Sequence, residues 1–136
     1  MINKHFVNIK NQKLNEFQYY SGGGMTGGYY RQVIKRCDDT AVITIEKAEF
    51  HNDEPIKVEH VVDVALLDDI EKIVRKHKMN HWHNKKFTNM FVADGESVGY
   101  SFVFDDSIIR FSSQIYPPQY TRKLKEIKDI MGTSLQ

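Results

Sequence analysis

Three histidines, His77, His81 and His83, fall within seven residues of the chain. Imidazole nitrogens are common ligands of zinc and copper, and a His-x-His pair can hold such an ion if a third ligand comes from elsewhere. His51 with Asp53, or His60, is a candidate for that third ligand. However, the chain lacks the His-Glu-x-x-His motif of zinc hydrolases, and His77 falls on the apolar face of a predicted helix. A small metal-dependent hydrolase that uses His81 and His83 is therefore an alternative hypothesis, not the favoured one.

The segment 75–86 mixes five cationic side chains with Trp82, the only tryptophan. Cations that contact phosphates beside an aromatic ring on which bases stack are typical of single-strand nucleic-acid binding. The competing interpretation is a helix C-terminus whose cations complement the helix dipole, with Trp82 packed under the sheet. The whole chain has 19 basic and 18 acidic residues, a formal charge of +1. Because nucleic-acid-binding domains usually carry a clear basic excess, nucleic acid is not the partner that this sequence favours.

Cys37 is the only cysteine, so the chain has no internal disulfide. As a nucleophile it would need a histidine beside it, and the adjacent Asp38 and Asp39 disfavour its thiolate. The acidic pairs at 68–69 and 105–106 fall in an early helical turn and in a turn between strands, where carboxylates are expected for structural reasons. The sequence therefore favours a non-enzymatic protein, and we expect no catalytic residue, no cofactor and no metal ligand.

Five of the eight glycines fall between Gly22 and Gly28, in the stretch Ser-Gly-Gly-Gly-Met-Thr-Gly-Gly. A loop that cradles phosphate is normally followed by a helix, whereas an alternating, strand-like pattern follows here. The glycines therefore predict a hairpin connection, a strand that another backbone approaches closely, or a surface loop that contacts a protein partner.

Tyrosine pairs bracket the glycines, Tyr19-Tyr20 before them and Tyr29-Tyr30 after them. Tyrosine suits a contact surface because it offers a large apolar area and a polar tip. The favoured hypothesis is a non-enzymatic protein-binding domain that uses the glycine-rich loop, and we expect the four tyrosines to belong to its contact surface. The predicted partner-binding residues are Tyr20, Gly23, Gly24, Met25, Gly27 and Tyr29. Replacing Gly23 and Gly24 by alanine is expected to abolish partner capture and to leave the melting temperature nearly unchanged.

The elements that position these residues follow from hydrophobic periodicity. A chain of 136 residues has the length of one domain, and residues 1–13 are interpreted as a mobile arm or an edge strand. Alternating apolar and polar positions predict strands that begin at Leu14 and continue to the glycine run, and then strands over 29–37, 41–50, 56–62, 87–93, 98–104 and 108–115. Asp94-Gly95 indicates a tight hairpin between the fifth and sixth of these strands.

Two helices are predicted. Asp63 is the expected N-cap of the first, whose apolar face comprises Leu66, Leu67, Ile70, Ile73, Val74 and His77. The second follows Pro117-Pro118, carries an apolar stripe that ends at Met131, and has Gly132 as its candidate C-cap. The element order ββββαβββα predicts an α+β fold with a mainly antiparallel sheet of about seven strands and two helices.

Four motifs together resemble a family of small bacterial proteins that have no assigned activity. They are the Ser-Gly-Gly-Gly-Met-Thr-Gly-Gly loop, the turn at 51–55, the segment Lys-Met-Asn-His-Trp at 78–82, and Phe-Ser-Ser-Gln at 111–114. The resemblance covers nearly the whole chain, from Leu14 to Met131. It implies a stand-alone cytoplasmic α+β domain and assigns no functional residue.

The first ten residues contain no apolar segment of a secretory signal and no small-residue cleavage site. No window approaches the ~18 consecutive apolar residues of a membrane span. We therefore expect a cytoplasmic protein without membrane contact, as a monomer or a homodimer.

Overall fold

A computed structural model of the chain describes residues 3–23, 27–87 and 96–134. Its strands are β1 (Leu14–Gly23), β2 (Gly27–Cys37), β3 (Thr40–Phe50), β4 (Ile56–Asp63), β5 (Glu96–Phe104) and β6 (Ile108–Ser113). Its helices are α1 (Ala65–Lys76), a short 3-10 turn (Met79–His81) and α2 (Pro118–Ser134).

The predicted α+β class, the mainly antiparallel sheet and the two helices are confirmed. The described residues form six strands where about seven were predicted. Of the strand predicted over 87–93, only Phe87 is described, and it lies outside any strand. The rest of that segment and the Asp94-Gly95 turn lie outside the described residues.

The six strands form one sheet in the order β4-β3-β2-β1-β5-β6, and every neighbouring pair is antiparallel. Strands β1 to β4 are neighbours in the sheet in their sequence order, as their alternating patterns predict, and two of them, β2 and β3, are joined by a tight turn. This turn is Asp38-Asp39, where Asp38 has a φ of 56°. After α1 the chain returns on the other side of β1, so β1 lies between β2 and β5.

One row of apolar side chains crosses five of the strands in register, and we call it the core row. Its members, listed from β3 to β6, are Ile43, Ile34, Phe17, Phe102 and Ile109. Each is fully buried. The helices cover this face with five apolar residues of α1 (Leu66, Leu67, Ile70, Ile73 and Val74) and three of α2 (Leu124, Ile127 and Met131). The opposite face of the sheet, which we call the open face, is covered by none of the helices in residues 3–23, 27–87 and 96–134.

Two predicted helix boundaries are wrong. Asp63 ends β4, and Val64 is the residue that precedes α1. The Asp63 carboxylate still accepts a hydrogen bond from the Ala65 N–H at 2.9 Å, so it satisfies one donor of the helix end from one position earlier. Gly132 does not end α2, because the helix continues to Ser134.

Residues 3–13 form no strand. Instead, hydrogen bonds hold them against α1 and the turn that follows it. The Val7 N–H donates to the Asn80 carbonyl at 2.8 Å, and the Arg75 guanidinium donates to the Gln12 carbonyl at 2.6 Å. Ile9 is buried in the core. The structure thus packs this segment against the domain, where the sequence suggested a mobile arm or an edge strand.

The two edges of the sheet differ. At the β6 edge, Arg110 donates its N–H to the His83 ring and accepts at its carbonyl from the Asn84 N–H, at 3.0 and 2.7 Å. At the β4 edge, seven of the eight residues are exposed, Val61 with 72% of its surface. In the part of the chain that is described, a loop therefore occupies one edge and the other is open to solvent. No helix within the described ranges is long and apolar enough to cross a membrane.

We expect Phe17→Ala to lower the free energy of unfolding by about 3–5 kcal/mol, the usual cost of truncating a buried phenylalanine. The Phe17 ring is fully buried and packs against Phe102 with 5.2 Å between ring centroids. Denaturant unfolding provides the measurement. Val61→Ala, at an exposed apolar position of the edge strand, is the control and should change stability by no more than about 0.5 kcal/mol. A loss below about 1 kcal/mol for Phe17→Ala would contradict the central position of the core row.

Stability should also depend on Glu126, which joins α2 to α1. Its carboxylate accepts from Lys76 at 2.9 Å and contacts His77. These hydrogen bonds, the one from Lys76 first, lower the pKa of Glu126. A carboxyl with a lowered folded-state pKa stabilises the fold above its unfolded pKa, and the effect disappears as the pH falls through the folded-state value.

Glu126→Gln should therefore lower the melting temperature slightly at neutral pH. The difference in melting temperature between the variant and the unsubstituted protein should become smaller at pH values below the ordinary glutamate pKa of about 4.3. Thermal unfolding followed by circular dichroism across this pH range tests the idea, and a difference that grows on acidification would refute it.

Candidate functional site

The glycine run lies at the end of the β1–β2 hairpin. β1 ends at Gly23 and β2 begins at Gly27, and Gly22 pairs with Tyr29 across the two strands. Of the predicted partner-binding residues, Tyr20 and Tyr29 stack on each other, and Gly23 and Gly27 are the strand ends beside them. Gly24 and Met25 lie outside the described residues.

The sheet divides the four tyrosines between its two faces, because successive side chains of a strand point in opposite directions. Tyr20 and Tyr29 lie on the open face, stacked with their ring centroids 6.2 Å apart and an interplanar angle of 18°. Tyr19 and Tyr30 lie on the helix-covered face, where their rings meet edge to face at 6.1 Å. The expectation that all four rings belong to one contact surface is therefore wrong.

Two of the glycines have clear structural reasons. A Cβ atom at Gly22 would lie 2.6 Å from the Tyr20 hydroxyl and 2.7 Å from the Tyr29 Cβ, so only glycine lets the Tyr20 ring lie across the strand. Gly23 has a φ of +96°, which L side chains rarely adopt. The expectation that alanine at Gly23 leaves the melting temperature nearly unchanged therefore has no support in this geometry.

The strand register places a third aromatic residue on the open face at the same end of the sheet. Phe50 ends β3 opposite Gly27, and 51% of its surface is exposed, against 42% for Tyr20. We call Tyr20, Tyr29 and Phe50 the open-face cluster. These residues come from three neighbouring strands and form a diagonal at the hairpin end of the sheet.

Charged side chains flank the open-face cluster. Arg31, Glu46 and Lys57 form one cross-strand row beside Tyr20. Partial burial, and then the negative charge of Glu46, raise the pKa of the Tyr29 phenol. The cluster therefore presents neutral aromatic rings beside a row of mixed charge.

The opposite, helix-covered face contains a cleft of about 380 Å³ near the same end of the sheet. It is lined by Tyr19 and Ser21 of β1, Tyr30 and Gln32 of β2, and Lys128, Met131 and Gly132 of α2. We call it the Gln32 cleft. A second cleft of about 320 Å³, lined by Val98, Tyr100, Tyr116, Thr121, Leu124, Lys125 and Lys128, shares Lys128 with it.

Gln32 is the only buried polar residue among those that the structure describes, with 3% of its surface exposed. Its Oε1 accepts a hydrogen bond from the Tyr30 hydroxyl at 3.0 Å, while its Nε2 has no partner. The hydroxyl both donates and accepts, so the amide could be turned around, but one of its two ends would still lack a partner. An unsatisfied buried donor costs about 1–3 kcal/mol, which makes this residue unusual in a packed domain.

The other polar groups of the cleft are a cation and neutral phenols. The Lys128 ammonium lies 5.0 Å from the centroid of the Tyr19 ring. Burial, and then the proximity of Tyr19, raise the pKa of Tyr30. Burial likewise raises the pKa of Tyr100, whose ring packs edge to face on Tyr19 at 5.3 Å. The phenols therefore stay protonated and add no negative charge.

The histidines expected to hold a metal have other contacts. The His83 ring accepts from the Arg110 N–H through Nδ1, and His81 packs on Phe6 with 5.0 Å between ring centroids. His77 binds Glu126 at the contact between the helices. Within residues 3–23, 27–87 and 96–134, no three His, Cys, Asp or Glu side chains are grouped so that they could hold a metal ion.

The tryptophan expected to stack on nucleic-acid bases is buried. Trp82 exposes 5% of its surface and packs edge to face against Phe111 and Tyr120. The second interpretation of segment 75–86, in which Trp82 packs under the sheet, therefore describes this ring, which lies against the sheet and α2. A base could stack on it only if this part of the core opened.

Comparison with models of known protein families and with curated protein sequences gives no match for this chain. The resemblance to a bacterial family with a glycine-rich loop therefore stays a prediction.

Sequence reasoning missed Gln32, Lys128 and Tyr100. One signal was available for Gln32, since it lies between Tyr30 and Ile34 on the same face of β2 and interrupts an apolar alternation. For Lys128 no such signal existed, because only packing shows that this one lysine of α2 extends over Tyr19.

Two alanine substitutions should shift stability in opposite directions. Gly23→Ala places a side chain at a φ of +96° and should destabilise the fold by about 1–2 kcal/mol. Gly132→Ala lies inside α2, where a Cβ would meet nothing within 4 Å, and should stabilise it by about 0.5–1 kcal/mol. Denaturant unfolding of both variants provides the comparison. A stability change of the same sign in both would contradict the backbone geometry of the hairpin.

Proposed function

We propose that this protein is a non-enzymatic binding domain that engages a folded protein partner at the hairpin end of its sheet. The observation that carries the proposal is the open-face cluster. Three aromatic rings from three neighbouring strands lie on a face that none of the described helices covers, and two of them expose 42% and 51% of their surface. Aromatic residues are enriched at protein interfaces and dominate their energetic centres.

The rigidity of the cluster supports this proposal. Tyr20 is held against Tyr29 by stacking, and the absence of a Cβ at Gly22 allows that arrangement. The strand pairing of Gly22 with Tyr29 fixes both rings on the sheet. A partner that binds there orders few additional side chains, so less conformational entropy is lost on association.

The surrounding charges support a protein partner over a nucleic acid. Beside the cluster, one glutamate lies between an arginine and a lysine in the row Arg31, Glu46 and Lys57. A mixed polar rim around an apolar centre is typical of protein interfaces, whereas phosphate binding needs a positive surface.

The glycine-rich loop has a double role in this proposal. Its flanking residues Gly23 and Gly27 have φ values of 96° and 70°, which other residues rarely adopt, and Tyr20 and Tyr29 lie beside it at the end of the sheet. We extend the predicted partner-binding set of Tyr20, Gly23, Gly24, Met25, Gly27 and Tyr29 by one residue, Phe50. Neither a metal-dependent hydrolase nor a single-strand binder is favoured, because His83 and Trp82 are engaged in other contacts.

Site-specific photo-crosslinking in lysate of the source cells tests the proposal. A photoreactive benzoylphenylalanine replaces Phe50 in one sample and Ile108 in the other. Ile108 is the matched control, since it is 43% exposed on the same face but lies on the far edge strand. We expect one discrete adduct from position 50 and none of that mass from position 108.

The substitution Tyr20→Ser should then reduce the yield of that adduct by about tenfold or more, as expected for an interface residue worth at least 1.4 kcal/mol. Its melting temperature shows whether the fold has survived. The same adducts at both positions, or a yield that Tyr20→Ser leaves unchanged, would argue against the open-face cluster as the interface.

A further inference from the structure

The Gln32 cleft lies on the face of the sheet opposite the open-face cluster, so what it binds is independent of the proposed protein interface. The core row is entirely apolar, but the next row towards the hairpin contains Gln32, Tyr19 and Tyr100 in register on neighbouring strands. Towards the hairpin, polar groups thus enter this face where α2 leaves a cleft over it.

Two donors among the residues that line the cleft, the Gln32 amide nitrogen and the Lys128 ammonium, lack an acceptor among the described residues. The Gln32 amide nitrogen is buried, and the whole residue exposes 3% of its surface. In the described part of the chain, Lys128 has no carboxylate within 4 Å, and neither the Gln32 cleft nor the cleft beside it is lined by an aspartate or a glutamate. Native proteins satisfy almost all of their buried polar groups. An acceptor that carries negative charge would satisfy both the amide and the ammonium.

The walls of the cleft are aromatic and apolar. Tyr19 and Tyr30 meet there edge to face, and Met131 of α2 contributes a flexible apolar side chain. A planar ring can pack against such edges and faces, and methionine adapts to irregular shapes. The volume of about 380 Å³ lies in the lower part of the range for small-molecule sites, roughly 300–1,000 Å³.

We propose that the Gln32 cleft binds a small aromatic carboxylate. Its ring lies against Tyr19 and Tyr30, and its carboxylate accepts a hydrogen bond from the Gln32 amide and pairs with the Lys128 ammonium. The neutral phenols beside these groups leave the anion unopposed. The class of ligand therefore follows from three features: a buried amide without a partner, a lysine without an ion pair, and tyrosine walls.

Titration of the isotope-labelled protein with cinnamate tests this assignment, followed by heteronuclear NMR. We expect saturable shifts of the Gln32 side-chain amide signals and of the backbone signals of Tyr19 and Tyr30. Cinnamamide has the same planar body without the charge, and it should bind at least about tenfold more weakly because a charge-assisted contact is lost.

Two substitutions separate binding from folding. Lys128→Met removes the cation at an exposed position, and Gln32→Leu replaces the amide by an apolar side chain of similar size. Each should weaken cinnamate binding by at least about tenfold, while Gln32→Leu leaves the melting temperature unchanged or raises it.

Lys123→Met is the matched control, because Lys123 belongs to the same helix and also lies over aromatic rings, 5.9 Å from Trp82 and 6.0 Å from Tyr120. The affinity of the Lys123→Met variant for cinnamate should stay within about twofold of the affinity of the unsubstituted protein.

The absence of saturable shifts with cinnamate would overturn the proposal. Equal affinity in the unsubstituted protein and in Lys128→Met would do the same, since the ligand would then not use the cation. The Tyr20→Ser variant should bind cinnamate as the unsubstituted protein does. Failure of the protein interface and failure of the cleft are therefore distinguishable.

Discussion

The core row is the constraint on which the rest of the structure depends. Five fully buried side chains stand side by side across five strands, and their burial decides which face of the sheet the two helices cover. In a strand, a shift of register by one residue would turn every one of these side chains to the solvent. The register that buries Phe17 therefore also fixes where each neighbouring tyrosine points.

At the hairpin, the same register distributes the tyrosines over the two faces of the sheet. Tyr20 and Tyr29 lie on the open face because Phe17 and Ile34, at alternate positions of the same strands, are buried on the other face. Tyr19 and Tyr30 belong to the helix-covered face, where Lys128, Met131 and Gly132 of α2 border the Gln32 cleft. Both proposed binding surfaces thus arise at one end of the sheet, where the cover provided by α2 stops.

Local patterns predicted most of the secondary structure. The alternation around Val33 predicted a strand, and the spacing of Leu66, Ile70 and Ile73 predicted a helix, because each pattern buries one face of the element. Boundaries were less secure. The N-cap position of α1 lies one residue after the predicted cap because β4 continues through Asp63, and Gly132 does not end α2 because the helix continues through Thr133 to Ser134. Of the alternatives that the glycine run offered, the hairpin connection is confirmed by the pairing of Gly22 with Tyr29.

By itself, the sequence determined the class of the fold, its two helices, and the place of its hairpin, because these depend on contacts between residues close in the chain. Only the tertiary structure decided that Gln32 and Lys128, 96 positions apart in sequence, line one cleft. It also decided that Phe50 joins Tyr20 and Tyr29, and that Trp82 is enclosed by rings from β6 and α2. Such neighbours are set by the order of strands in the sheet and by where a helix ends above it, and no local spacing in the chain encodes either.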